Sequence, residues 1–140
     1  MRRGWFPSKK CFPFSCRLSG VPQADLKESI ERVSRALRTT LADERGRWLL
    51  GPQAESKTEL RLRTADRVTY IVDRSFRDAA GELWVVDWKT SRHEGKGLEE
   101  FLDREQARYA PQLERYASAL GARKLGLYFP ALAKWREWQK

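Results

Sequence analysis

The sequence predicts an α/β (α+β) domain in the order α-βββ-α-β. Three features carry the prediction: a helical apolar stripe ahead of any strand, a run of alternating segments in the middle, and a helix followed by one more strand. Over residues 24–43, Leu26, Ile30, Val33, Leu37 and Leu41 recur at steps of four, three, four and four, which is one face of an amphipathic helix. The opposite face, with Lys27, Glu28, Glu31, Arg32, Arg35 and Arg38, reads as solvated. Gly46 and the Gly51-Pro52 pair then punctuate a loop holding Trp48-Leu49-Leu50, expected to pack on the sheet edge. Residues 59–63 alternate as a first strand, 68–76 as a second and 83–88 as a third, with a turn at Ala80-Gly81. Those three form an antiparallel meander. A polar loop at 91–97 leads to a helix over 98–108. Pro111 suits the first turn of a further helix, because its missing N–H would be unpaired there anyway. That helix runs to Leu120 and closes at Gly121, a C-terminal cap. Residues 124–129 are a fourth strand, stopped by Pro130.

At 140 residues the chain suits one domain with room for a core. With 41% hydrophobic and 34% charged residues it reads as globular rather than disordered. No apolar run approaches the roughly 18 residues that span a bilayer, so no membrane partner is expected. The 28 basic residues exceed the 19 acidic ones, a net +9 that suits a polyanionic partner such as nucleic acid or else serves solubility alone. Residues 1–22 mix prolines, aromatics and basic charge without periodicity and read as an irregular basic arm ahead of a domain over 23–140. The arm lacks the continuous apolar segment of a signal peptide, and a cytoplasmic protein is expected. Cys11 and Cys16 match no C-x-x-C pattern and are read as reduced, idle thiols.

The chemistry concentrates in two strands. Asp73 lies in Tyr70-Ile-Val-Asp-Arg74, and Asp87 and Lys89 lie in Leu83-Trp-Val-Val-Asp-Trp-Lys-Thr-Ser91. Side chains two apart on a strand share a face, so Asp87 and Lys89 set an acid beside a cation. Should Asp73 face the same way on the neighbouring strand, two carboxylates converge as ligands for a hard cation such as Mg²⁺. An acid and a lysine at this spacing also occur on solvated strand faces, as ion pairs of little consequence. Apolar neighbours on both strands favour the first reading, since buried charge is costly unless paired or metal-bound. Further on, Gln112 and Tyr116 stand at i and i+4, one above the other on a helix face.

Taken together, Asp73, Asp87-x-Lys89 and Gln112-x-x-x-Tyr116 on this element order resemble the PD-(D/E)XK nuclease superfamily. The similarity covers about 80 residues and is nearest the RecB-like C-terminal nuclease domain of UvrD/Rep-type helicase-nucleases of the RecB and AddA kind, through Tyr109-Ala-Pro-Gln-Leu-Glu-Arg-Tyr-Ala117 in particular. The resemblance implies a restriction-endonuclease-like core with a mixed sheet flanked by helices. It implies that Asp73 and Asp87 ligate Mg²⁺ or Mn²⁺, with the Trp88 backbone carbonyl as a further ligand. Lys89 would orient or deprotonate the attacking water, Gln112 and Tyr116 would position the DNA strand and the metal cluster, and Glu59 would be an auxiliary acid. The activity implied is exonuclease-type DNA hydrolysis in repair or recombination. Its partners would be single- or double-stranded DNA and helicase subunits or domains of a RecB/AddA-like complex.

The chain also departs from that pattern. No histidine precedes Asp73, where relatives place a further metal ligand in a G-x-x-x-H helix, and the sole histidine, His93, is expected to be solvent-exposed or to touch phosphate. No cysteine follows Cys16, so no iron–sulfur cluster is expected, and without a Walker A motif no ATP site. The chain reads as the C-terminal remnant of a longer protein. The rival reading is a catalytically inactive DNA-binding or protein-docking module derived from such a domain.

Overall fold

In the computed structural model the described residues are 22–63 and 67–140. They divide into two compact units with a boundary between Arg35 and Ala36. The basic arm, apart from Pro22, and both cysteines lie outside the described residues. In the first unit a 3₁₀ turn, Gln23–Asp25, leads into helix α1 (Leu26–Ala42), where Arg32 pairs with Glu28 one turn back at 2.5 Å.

In the second unit the last turns of α1 leave Leu37 and Leu41 more than half exposed, at 55% and 56%. The segment read as a loop is instead a helix, α2 (Glu44–Leu50). Asp43 is the reason: its carboxylate accepts from Gly46 N at 2.8 Å and satisfies an N–H that the first turn would otherwise orphan. Arg47 reaches back to the Leu41 and Ala42 carbonyls at 3.1 and 2.8 Å, closing α1 as α2 begins. The same Asp43 oxygen accepts from the Tyr128 hydroxyl at 2.9 Å. Burial, followed by that carboxylate, pushes the Tyr128 phenol up to about 12. Nothing larger than glycine fits at 46, where a Cβ would stand 2.2 Å from the Thr40 carbonyl oxygen. Rather than resting on the sheet edge, α2 puts Leu49 on the sheet face, fully buried with Phe76, Trp84, Val86 and Tyr128.

Five strands form one sheet in the order β1 (Ala54–Arg63), β2 (Thr69–Arg77), β3 (Leu83–Trp88), β4 (Lys124–Phe129), β5 (Lys134–Gln139). The first three are the expected antiparallel meander; β4 joins β3 in parallel, and β5 returns antiparallel to β4. The β2–β3 turn is held by Asp78, which accepts from Ala80 N, Glu82 N and Trp84 Nε1. A parallel neighbour needs a crossover, and α3 (Leu98–Leu120) supplies it. It is one continuous helix where two were expected. Pro111 sits exposed in its interior, while Leu102 before it and Leu113, Tyr116 and Ala117 after it bury against the same core. That shared apolar face holds both halves in line despite the missing N–H. Gly121 closes the helix in the left-handed conformation, φ +70°.

The fifth strand was not foreseen. Its Trp135 lies over Gly126 of β4, packing edge-on to Trp48 at 6.5 Å and tilted on Trp84 at 5.9 Å. Arg136 ties it to Glu99 and Asp103 of α3, and that guanidinium holds the Glu99 carboxyl below its usual value. Among the described residues no helix is long and apolar enough to cross a membrane. A Cβ at position 126 would fall 1.9 Å from a Trp135 ring carbon. Gly126→Ala is therefore expected to displace that ring and cost about 1–3 kcal/mol, read as a lower midpoint in urea unfolding; an unchanged midpoint would mean the indole does not depend on this seat.

Candidate active site

The two acids meet where β2 and β3 part. Pairing between these strands runs from Arg77↔Leu83 to Arg74↔Val86, so the next residues in register are Asp73 and Asp87. Asp73 is half-buried, and its Oδ2 accepts from the Trp88 backbone N–H at 3.0 Å, a side chain standing where a main-chain acceptor would end the ladder. Asp87 is only 5% exposed. It sits on a strand buried on both faces, with Val85 in the core beneath α3 and Trp84 and Val86 in the core beneath α2.

Such a carboxylate needs a counter-charge. Lys89 provides it, its Nζ forming an ion pair with Asp87 Oδ2 while both side chains are largely out of water. Lys89 is placed in turn by its own N–H, which donates to the Tyr128 carbonyl at 2.8 Å. Its ammonium also lies over the Tyr109 ring, 3.7 Å from the centroid. Burial raises the Asp87 carboxyl above its ordinary value, Lys89 pulls it back, and Asp73 raises it again by its charge and by lying within hydrogen-bonding reach. Asp73, Asp87 and Lys89 are thus brought together.

The other candidates fall around this trio. Trp88 sets its ring edge-on to Tyr128 at 5.4 Å, and its backbone spans the two acids. Gln112 Nε2 donates to the Tyr116 hydroxyl at 2.5 Å, so the i, i+4 pair on α3 is real. Tyr116 is buried and its ring lies 5.6 Å from that of Tyr70 on β2. Among the described residues no hydrogen bond joins Gln112 or Tyr116 to the acids; the link is Tyr109, on the same face of α3 and against Lys89. Glu59 falls between the pairs Thr58↔Arg74 and Leu60↔Val72, level with Asp73. It is exposed, with a left-handed φ of +49° that no turn requires. His93 is not exposed: it is half-buried, its ring stacked on Phe101 at 4.9 Å, with Nε2 shut off from solvent.

Sequence reading missed Tyr109 and Glu105. Glu105 is buried on α3 and its Oε2 accepts from the Ser91 hydroxyl at 2.5 Å. The available signal was an acid three residues after Leu102, within the apolar stripe of the helix.

Two facing carboxylates offer hard oxygen donors, which suit Mg²⁺, a cation that binds one or two carboxylates and keeps several waters. Among the described residues no three His, Cys, Asp or Glu side chains gather as a fuller cage. The chain matches the sequence pattern of the PD-(D/E)XK nuclease superfamily over residues 10–134 and belongs to that superfamily. Its mixed five-stranded sheet with flanking helices is the restriction-endonuclease-like fold of the group, whose members are generally nucleases that use divalent metals. No curated protein matches the chain.

The electrostatics of Asp87 can be measured directly. Its side-chain carboxyl, followed by ¹³C NMR, is expected to titrate above the ordinary carboxylate value, and Lys89→Met to drive it higher still by removing the cation and keeping the burial. A folded-state pKa above the unfolded one means that ionised Asp87 costs stability at neutral pH, a cost that fades as pH falls through the raised value and is gone below the unfolded one. Lys89→Met is accordingly expected to lose about 3–5 kcal/mol at pH 7 and to recover part of it on acidification.

Proposed function

We propose that this chain is a metal-dependent DNA nuclease domain of exonuclease type, the C-terminal nuclease part of a RecB/AddA-like helicase-nuclease acting in DNA repair or recombination. One observation carries the reading: Asp73 and Asp87 face each other in register at the end of the β2–β3 ladder, with Lys89 against Asp87. The Tyr109-to-Ala117 segment on α3, with its bonded Gln112–Tyr116 pair, supports the RecB-like branch.

In this reading Asp73, Asp87 and the Trp88 carbonyl hold Mg²⁺ or Mn²⁺. A bound cation of that kind brings the pKa of its water toward neutrality and polarises phosphoryl oxygens. Lys89, paired with Asp87 as an ammonium, keeps a fixed positive charge beside the scissile phosphate, orients the attacking water, and offsets charge that develops on the phosphate oxygens. Gln112 and Tyr116, locked to each other, present a fixed amide and phenol to the sugar-phosphate backbone. Glu59, level with Asp73 on β1, serves as an auxiliary acid. The net charge of +9 favours DNA, and helicase subunits or domains are the proposed protein partners.

A second reading, an inactive DNA-binding or docking module, is favoured by the Lys89–Asp87 pair itself, which neutralises the acid without any metal. Cleavage of linear single- and double-stranded DNA with Mg²⁺ or Mn²⁺ separates the two. Lys89→Ala and Asp87→Ala are expected to lower the rate at least about 10²-fold, with DNA affinity in chelator retained. Intact binding with no cleavage by the unmodified protein in either metal would leave the module reading standing alone.

A further inference from the structure

Glu105 is the buried charge that nothing so far explains. Of the three charged side chains buried among the described residues, Asp87 has Lys89, and Arg74 donates to the Gly51 carbonyl at 3.0 Å. Glu105, 8% exposed, has only the Ser91 hydroxyl on Oε2 and a distant Arg108 guanidinium, 3.8 Å from Oε1 on a side chain 70% exposed. Burying a carboxylate costs free energy that one hydroxyl recovers only in part. The helix would be cheaper to fold with an apolar residue there, continuing the stripe from Leu102.

What the carboxylate holds is the segment that carries Lys89. Ser91 lies two residues beyond Lys89, ahead of Gly95 and Gly97, both left-handed. Glu105 and Tyr109 stand one turn apart on α3, so the helix grips this segment twice, by Glu105 at Ser91 and by the Tyr109 ring on the ammonium. The third tether, Lys89 N to the Tyr128 carbonyl, comes from β4. We propose that Glu105 is a positioning residue for Lys89, acting through Ser91 to hold the lysine between Asp87 and the Tyr109 ring. Its catalytic consequence rests on the nuclease reading above; its structural content does not.

Two measurements on Glu105→Ala, Glu105→Gln, Ser91→Ala and the double alanine variant test this. By NMR, the Lys89 ε-protons of the unmodified protein should be shifted upfield by the Tyr109 ring. That shift is expected to collapse in both alanine variants and to survive in Glu105→Gln, whose amide oxygen still accepts from Ser91. In DNA cleavage the alanine variants should lose between about 10- and 100-fold in kcat with KM unchanged, the glutamine variant should stay near the unmodified rate, and the double variant should be no worse than either single one. An unmoved shift in Glu105→Ala overturns the proposal. So does a Glu105→Gln variant as impaired as Glu105→Ala, because the charge and not the bond to Ser91 would then matter. If the unmodified protein cleaves nothing, the nuclease reading fails and the ring-current shift alone decides the role of Glu105.

Discussion

A carboxylate inside a sheet that is buried on both faces sets the terms for this fold. Asp87 lies between two cores, one beneath α3 and one beneath α2, and neither offers it water. Its counter-charge comes from two residues further on, just past the end of β3, where the extended backbone, still bonded to β4 through Lys89 N, returns the side chain to the same face. Lys89 in turn has to be kept from swinging into solvent. The Tyr128 carbonyl, the Tyr109 ring and the Ser91–Glu105 bond all act on that short stretch, and they come from β4 and α3. The crossover that makes β4 parallel to β3 is therefore also what confines the lysine.

The far side of the sheet shows the same economy. Asp43 begins α2, accepts from Gly46 and takes the Tyr128 hydroxyl, so one carboxylate joins a helix start to the strand that holds Lys89 N. Gly46 leaves the room and Tyr128 fills it. Trp135 does likewise above Gly126, where the absent side chain lets the indole's six-membered ring seat on β4 and the last strand complete the sheet.

Much of this was legible in the chain because the strands near the acids carry strong signals. The spans 83–88 and 124–129 were read with the bounds they have, each a β-rich run ended by a turn residue or a proline. The juxtaposition of Asp73, Asp87 and Lys89 followed from period two and a hairpin. Other parts were hidden for physical reasons. α2 is seven residues with a glycine inside, and its only local mark is Asp43 three before Gly46. β5 reads Lys-Trp-Arg-Glu-Trp-Gln, with tryptophans three apart, so it lacks the alternation of a half-buried strand; contacts from Trp48 and Gly126, distant in sequence, give it a place. Pro111 argued for a helix start, and tertiary burial on both sides of it overrode that preference. Glu105 gave no motif at all, only an acid in a stripe where an apolar residue was due.

Pro111 has a mechanical meaning beyond the secondary structure it failed to break. Without an amide hydrogen it leaves the carbonyl one turn earlier, at Ala107, short of its helical donor, so α3 is a rod with one rung removed. A rod of that kind flexes first at the gap. The gap separates Glu105 and Tyr109, which hold the lysine, from Gln112 and Tyr116, which face a strand of substrate in the proposed reading. Burial of Leu102 on one side and of Leu113, Tyr116 and Ala117 on the other is what keeps the two halves aligned across it, so the spacing between lysine grip and substrate face is set by the core and not by the helix's own hydrogen bonds.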